Sequence, residues 1–223
     1  MRIILLGAPG SGKGTQGDLI SGKYGFPKIS SGDLLRQAVS DSTSLGKEAE
    51  AVMKRGELVS DDVVIAMITD RIKKEDCQQG YILDGFPRTI SQAISLERMS
   101  PDGDEIVFDI HLDDKVVIDR ISARRICSGC NHIFNLPPKA GDQREICENC
   151  GGTLVQRADD KPEIIKDRLK VYHEQRETLV VYYKEKNVYF CIEGDADRED
   201  IFKNICFLLD NKATPAQSNH RDQ

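Results

Sequence analysis

The chain has 223 residues, of which 39% are hydrophobic and 30% charged, and its formal net charge is −6. This length accommodates one large domain or a core with inserted subdomains. The acidic balance argues against a nucleic-acid binder, which would carry a basic surplus, and no apolar run reaches the roughly 18 residues of a membrane span. The opening MRIILLGAPG runs into a glycine loop rather than a small-residue cleavage site. A signal peptide is therefore not expected, and the cytoplasm is the expected compartment.

The first thirty residues match a phosphate-binding arrangement. Residues 2–6 are a β-branched and leucine run typical of a strand buried on both faces, and residues 13–23 predict a helix. The glycine loop between them almost fits G-x-x-x-x-G-K-[ST], in which backbone N–H groups and the lysine hold nucleotide phosphates. Gly14 stands at the Ser/Thr position, so the Mg²⁺ of a nucleotide needs another anchor. A glycine-rich turn without a ligand is the weaker alternative.

Strands and helices alternate along the rest of the chain. Further strands are predicted over residues 81–84 (YILD), 105–112 (EIVFDIHL) and 188–192 (VYFCI). Helices are predicted over residues 113–125 and 197–209, and another begins after the capping residue Ser60. This alternation predicts an α/β fold with a doubly wound parallel sheet and helices on both of its faces.

Asp84 ends the strand YILD and is the candidate anchor for Mg²⁺. A cation that keeps most of its waters can be held indirectly by a carboxylate at a strand end. The alternative is an aspartate that only caps the turn formed by Gly85, Phe86 and Pro87.

Six arginines lie within or beside the motifs, namely Arg36, Arg88, Arg120, Arg124, Arg157 and Arg168. Each alone would more often be a solvated surface residue, but several converging on one cleft would clamp phosphoryl oxygens. Positioning and charge stabilisation are most of what a phosphoryl-transfer enzyme supplies. Arg120 and Arg124 are four apart, so we expect them on one face of the helix predicted over residues 113–125.

Four of the seven cysteines follow the pattern Cys127-x2-Cys130-x16-Cys147-x2-Cys150. This spacing predicts a closed tetrahedral site for a structural metal, most often Zn²⁺, with no open position for catalysis. Alternatives are free thiols, a disulfide, occupancy by iron or cobalt, and a mixed site in which His132 displaces one cysteine. A nucleic-acid-binding zinc ribbon is disfavoured, because the segment carries few basic residues.

Five segments resemble the signature segments of adenylate kinases: GAPGSGKGTQ, ISSGDLLR, LDGFPRTISQA, DRISARR and QRADD followed by DR. The resemblance implies a sheet of the P-loop kinase type and the reversible, Mg²⁺-dependent transfer of the γ-phosphoryl group of ATP to AMP. Two ADP molecules result, and the role is adenine nucleotide homeostasis. Gly-Thr after the lysine is this family's own form of the loop. The resemblance also implies a monomer, with no nucleic-acid or membrane partner.

The resemblance assigns residues to two nucleotide sites and to catalysis. The ATP site would comprise Gly10, Ser11, Gly12, Lys13, Gly14, Thr15, Arg120, Arg124, Ile133, Phe134 and Ala196. The AMP site would comprise Ser31, Arg36, Glu57, Leu58, Val59, Gly85, Phe86, Pro87, Arg88, Gln92, Arg157 and Arg168. The catalytic groups would be Lys13, Asp84, Arg88, Arg124, Arg157 and Arg168. Ser31 replaces the threonine usual in bacterial members and retains its hydroxyl.

Gln92 is the residue expected to select the acceptor base. An amide can pair with the donor and acceptor positions of adenine. Pyrimidine monophosphate kinases have Asn after the GFPR segment, where this chain has Thr89, so AMP is favoured. The alternatives are a GTP-dependent or broader nucleoside monophosphate kinase and, from another class, a nucleotide-binding switch or zinc-dependent interaction module without transfer activity.

The predicted organisation has a core and two inserts. The core would comprise residues 1–29, 60–123 and 162–210. Residues 30–59 would form an AMP-binding insert, and residues 124–161 a lid that carries the zinc site. Residues 211–223 lack apolar periodicity and are predicted to be a disordered tail.

Overall fold

The computed structural model of the chain describes residues 1–99, 103–135 and 146–211. Two sheets are present in this part of the chain. A five-stranded parallel sheet has the spatial order β2-β3-β1-β4-β8, and a three-stranded antiparallel sheet has the order β6-β5-β7. In chain order, the strands are β1 (Arg2–Gly7), β2 (Lys28–Ser30), β3 (Tyr81–Asp84), β4 (Glu105–His111), β5 (Arg124–Cys127), β6 (Ile133–Asn135), β7 (Leu154–Val155) and β8 (Tyr189–Glu193).

Helices connect the parallel strands, which confirms the predicted α/β fold. They are α1 (Lys13–Tyr24), α2 (Ser31–Ser40), α3 (Ser44–Met53), α4 (Asp61–Ile72), α5 (Ile90–Met99), α6 (Asp114–Ala123), α7 (Pro162–Glu185) and α8 (Arg198–Asp210). Over the described ranges, none of these helices is both long and apolar enough to cross a membrane.

The parallel sheet is buried because apolar side chains cover both of its faces. In β1, Ile3, Ile4 and Leu5 are completely buried. Ile4 belongs to the apolar cluster that includes residues of α2 to α5 and α7. Ile3 and Leu5 belong to the opposite cluster, with Ile20 of α1 and Ile205 of α8. Alternate residues of a strand point to opposite faces, so helices pack on both sides, as the sequence predicted.

The helix predicted over residues 113–125 is two residues too long, and this prediction was wrong at its end. Helix α6 stops at Ala123, and Arg124 and Arg125 begin the strand β5. Arg125 pairs with Phe134 of β6 in the antiparallel sheet. Strand pairing between distant residues therefore overrides the local helical pattern, and Arg120 and Arg124 do not share a helix face.

The segment between β2 and α4 consists of two helices that pack closely on each other. A side chain at Gly46 of α3 would place its Cβ 2.0 Å from the carbonyl oxygen of Ala38 in α2, so this contact requires glycine. Thr43 caps α3 by accepting a hydrogen bond from the N–H of Gly46. The predicted tail, except Asn211, lies outside the described residues.

Candidate active-site cleft

A cleft of about 510 Å³ lies at the carboxyl edge of the parallel sheet, where ligands of such sheets bind. Its walls come from the glycine loop after β1, from the segment between β2 and α4, and from the antiparallel sheet. The predicted site residues that line it are Gly10, Ser11, Gly12, Lys13, Gly14, Thr15, Ser31, Arg36, Glu57, Leu58, Val59, Asp84, Gly85, Pro87, Arg88, Gln92, Arg120, Arg124, Ile133, Arg157, Arg168 and Ala196.

Two predicted site residues do not line the cleft. Phe86 is completely buried in the apolar core between the sheet and its helices. Phe134 packs against the buried residues Cys127, Cys147 and Leu154 of the antiparallel sheet. The predicted contacts of these two rings with a nucleotide stay predictions.

The glycine loop has the geometry of an anion receptor. Gly10 and Gly12 have φ angles of 77° and 102°, which glycine adopts readily. Helix α1 begins directly after Gly12 without a side-chain cap, so its first N–H groups and its positive dipole end remain available to an anion. The Nζ of Lys13 donates to the carbonyl oxygens of Gly7 (2.8 Å) and Ala8 (2.6 Å). The lysine is thereby held at the loop.

Asp84 lies beside the start of α1. A Cβ built on Gly14 would lie in ordinary van der Waals contact, 3.4 Å from its Oδ2. The carboxylate therefore lies directly beside the position at which the general loop pattern has Ser or Thr. A carboxylate next to a phosphate-binding loop suits a hydrated Mg²⁺ ion, so the residues present fit this cation.

The arginines of the cleft lie close together and perturb one another. Desolvation, followed by the positive charge of Arg168, lowers the pKa of Arg88 to about 10. The pKa of Arg157 is lowered to about 10, mainly because the residue is largely buried and also because the positive charges of Arg36 and Arg124 lie nearby. Like charges gathered in a cleft favour a polyanion such as a nucleotide phosphate chain.

Two aspartates hold two arginines of the cleft, Arg124 and Arg168, in place. Asp160 is completely buried, and Arg124 donates from Nε to its Oδ2 at 2.8 Å. Arg168 lies 3.0 Å from Asp159 and 3.3 Å from Asp160, both measured from its Nη1. No role for this pair was predicted from the sequence, although their position directly after QRA was the available signal.

The turn after Asp84 holds two further groups of the cleft. The carbonyl oxygen of Gly85 accepts hydrogen bonds from Ser31 Oγ at 2.6 Å and from Arg88 Nε at 2.8 Å. Gly85 has a φ of 70°, and a Cβ there would lie 2.9 Å from Arg88 Nη2. Glycine at position 85 therefore sets where the serine hydroxyl and the guanidinium meet.

Sequence reasoning also missed an ion pair in the wall of the cleft. Arg176 of α7 lines the cleft and donates from Nη2 to Oδ2 of Asp109 at 2.6 Å. Tyr189 donates to the same oxygen at 2.8 Å, and Asp109 is completely buried. A lone carboxylate within the apolar strand EIVFDIHL was a signal for such a pair, because buried aspartates are almost always partnered.

The four predicted metal ligands converge in the antiparallel sheet. The Sγ atoms of Cys127, Cys130, Cys147 and Cys150 all lie within 4.8 Å of one another. Cys127 accepts from the N–H groups of Gly129 at 3.3 Å and of Cys130 at 3.4 Å. Hydrogen bonds from these N–H groups, that of Cys130 first, lower the pKa of Cys127 to about 6. Four thiols in this arrangement fit a tetrahedral structural Zn²⁺ ion.

The surroundings of the cysteine cluster bear on the alternatives. None of the seven cysteines forms a disulfide. Within the described residues the cluster contains no histidine, and His132 stacks edge-on against Phe134 with 4.8 Å between ring centroids. Asn131 and Gly151, which follow the two cysteine pairs, have φ angles of 59° and 73°. Left-handed turns are accessible to glycine and to asparagine, and each of these two residues directly follows the second cysteine of its pair.

Comparison with known proteins gives a consistent result. The family model described as adenylate kinase matches residues 5–188. An adenylate kinase of Thermodesulfovibrio yellowstonii is 44% identical over 95% of this chain and 100% of its own length. One from Caldicellulosiruptor saccharolyticus is 45% identical over 94% of the chain and 99% of its own. One from Archaeoglobus fulgidus is 42% identical over 94% of the chain and 98% of its own length.

Proposed function

The chain belongs to the adenylate kinase family, and we propose that its cleft binds ATP and AMP together and aligns their phosphates for transfer. The reaction of the family is the Mg²⁺-dependent transfer of the γ-phosphoryl group of ATP to AMP, which gives two ADP and serves nucleotide homeostasis. The observation that carries the proposal is the meeting of a phosphate-binding loop and a cluster of arginines in one cleft.

ATP would bind with its phosphates in the glycine loop. The N–H groups of residues 10–15 would donate to the phosphate oxygens, and Lys13 would exchange its carbonyl partners for them. Arg120, Ile133 and Ala196 line the cleft and would enclose the adenosine. Phe134 is proposed to support this surface from the antiparallel sheet. ATP is the proposed donor in preference to GTP.

AMP would bind on the opposite side of the cleft. Ser31 and Arg36 would hold its phosphate, since both lie in α2 and face the cleft. The backbone of residues 57–59 and the turn of residues 85–88 would enclose its ribose and base. Gln92 would pair with the base edge.

The transferring group would lie between the two nucleotides. Arg88, Arg124, Arg157 and Arg168 would stabilise the charge that develops on its equatorial oxygens. Asp84 would hold Mg²⁺ through water, and the bound ion would neutralise part of the charge on the phosphates of ATP. No side-chain nucleophile is needed, because the phosphate of AMP is itself the attacking group.

The two segments over the cleft are proposed to move as separate units. Residues 30–59 would close over AMP and residues 124–161 over ATP, and closure would exclude water that could otherwise hydrolyse ATP. The four-cysteine site would bind Zn²⁺ and stabilise the small sheet of the lid. Since none of the cysteines is in a disulfide, a reducing cytoplasm is the proposed compartment. The proposed state is a monomer.

Substitution of Lys13 or Arg88 by alanine tests these roles. Each variant should fold and lose at least about 100-fold in kcat, because each removes a charge that acts on the phosphates. Arg98→Ala, which removes an exposed arginine of α5, is the matched control and should retain activity. Normal turnover by folded Lys13→Ala or Arg88→Ala would refute the assignment.

A further inference from the structure

We propose that Asp61 is a positioning residue for acceptor recognition: it fixes the orientation of the Gln92 side-chain amide, so that the amide accepts a 6-aminopurine and rejects a 6-oxopurine. The inference rests on the proposed role of Gln92 at the base of AMP. It goes beyond that role, because a residue in a different helix, α4, decides which way the NH₂ group and the oxygen of Gln92 point.

The amide of Gln92 is held on both of its polar atoms. Its Oε1 accepts from the backbone N–H of Arg88 at 2.7 Å, and its Nε2 donates to Oδ1 of Asp61 at 2.7 Å. Gln92 lines the cleft but is only 1% exposed. Water can therefore do little to replace either bond, and an unpaired amide atom here would be costly.

The two partners of Gln92 make its two orientations unequal. A backbone N–H can only donate, and an ionised carboxylate can only accept. If the amide were turned by 180°, its NH₂ group would face the N–H of Arg88 and its oxygen would face the carboxylate of Asp61. Both contacts would then be repulsive. The hydrogen-bond network thus selects one orientation of the Gln92 amide.

Asp61 is itself held in place by a hydrogen bond from Thr89, which lies shortly before Gln92 in the chain. It is the first residue of α4, and its other oxygen, Oδ2, accepts from Thr89 Oγ1 at 2.8 Å. Thr89 Oγ1 in turn accepts from the backbone N–H of Gln92 at 3.2 Å. Asp61, Thr89 and Gln92 therefore form a closed ring of hydrogen bonds that joins α4 to the first turn of α5.

The fixed amide leaves one N–H and one oxygen lone pair for a base. Adenine presents an acceptor at N1 beside a donor at its 6-amino group. Hypoxanthine and guanine present the reverse, a donor at N1 beside an acceptor at O6. A glutamine that could turn freely would match both patterns by rotation. An amide held in one orientation by Asp61 matches only adenine. Hypoxanthine or guanine would leave buried polar groups of the amide and the base unpaired.

The test compares AMP with inosine monophosphate (IMP) as acceptors, with ATP as donor. Asp61→Ala should lower the ratio of kcat/KM for AMP to that for IMP by at least tenfold, mainly through a higher KM for AMP, while kcat at saturating AMP stays within about threefold. Asp61→Asn should lower the ratio less than Asp61→Ala does, because its amide oxygen can still accept from Gln92, although its NH₂ group could also donate to a turned amide. Asp62→Ala removes the neighbouring, exposed acid of the same helix turn and should leave the ratio unchanged.

Gln92→Ala separates this inference from the role of Gln92. If Gln92→Ala loses discrimination and folded Asp61→Ala keeps it, the positioning role of Asp61 is refuted and the role of Gln92 survives. If Gln92→Ala keeps discrimination, both are refuted. Should Asp61→Ala fail to fold, Thr89→Val, which removes the hydroxyl that holds Asp61, carries the same test. A wild-type ratio in Thr89→Val would then refute the inference, and a lowered ratio would support it.

Discussion

Lys13 is expected to make the use of ATP sensitive to pH just above neutrality. Burial lowers the pKa of its ammonium group to about 8; the charge of Asp84 opposes this shift, and those of Arg88 and Arg168 add to it. Phosphate binds the protonated lysine, so kcat/KM for ATP should be close to its maximum at pH 7 and below and fall as the pH rises through about 8. The protonated fraction drops from about nine-tenths at pH 7 to about one-tenth at pH 9, which predicts a roughly tenfold loss.

The assay is kcat/KM for ATP at saturating AMP and Mg²⁺ between pH 6.5 and pH 9, at constant ionic strength. Within this range Arg88 and Arg157, with pKa values of about 10, remain largely charged. At saturating ATP the bound phosphates keep Lys13 protonated, so kcat should stay flat to higher pH. Lys13→Arg is the matched control and should lose the decline, because a guanidinium remains charged. A flat wild-type profile, or the same decline in Lys13→Arg, would refute the reasoning.

Two further predictions concern stability. Arg176→Met should lower the free energy of unfolding by about 2 to 3 kcal/mol in urea titrations, because it leaves the buried carboxylate of Asp109 with Tyr189 as its one hydrogen-bond partner. Adding Asp109→Asn to this variant should restore most of the loss, and an equal loss in the double variant would contradict the pairing. Removal of Zn²⁺ by a chelator should lower Tm by about 5 °C or more while activity at moderate temperature falls little, since the closed four-cysteine site is structural. Identical melting curves with and without the metal would argue against this.

The parallel core could be predicted from the sequence because its signals are local. The strand predicted over residues 81–84 coincides with β3, and each end of the other predicted core strands lies within one residue of the observed end, whereas the short edge strand β2 was not predicted. Buried strands of a parallel sheet are continuous apolar runs, and the glycine loop and the spacing of the cysteines are short patterns with a fixed chemistry. Residues named from those patterns therefore line one cleft or converge on one cluster.

The features that the sequence did not predict depend on partners far apart in the chain. Arg124 joins a strand because β6 pairs with β5, which no local pattern indicates. The pair of Asp109 and Arg176 is separated by 67 positions, and the contact of Asp61 with Gln92 by 31. Helix α7 has 24 residues and a mixed surface, so its apolar stripe is weak in sequence. Contacts between distant parts of the chain therefore decide which structure such segments adopt.

A coupled assay of the purified protein with Mg²⁺ tests the central claim most directly, with ATP or GTP offered against AMP, CMP, UMP and GMP. The account predicts that ADP forms fastest from ATP and AMP, and that the other acceptors are used much more slowly. Preferred turnover of another acceptor would contradict the proposed role of Gln92. No turnover with any pair would contradict the assignment of the cleft to phosphoryl transfer.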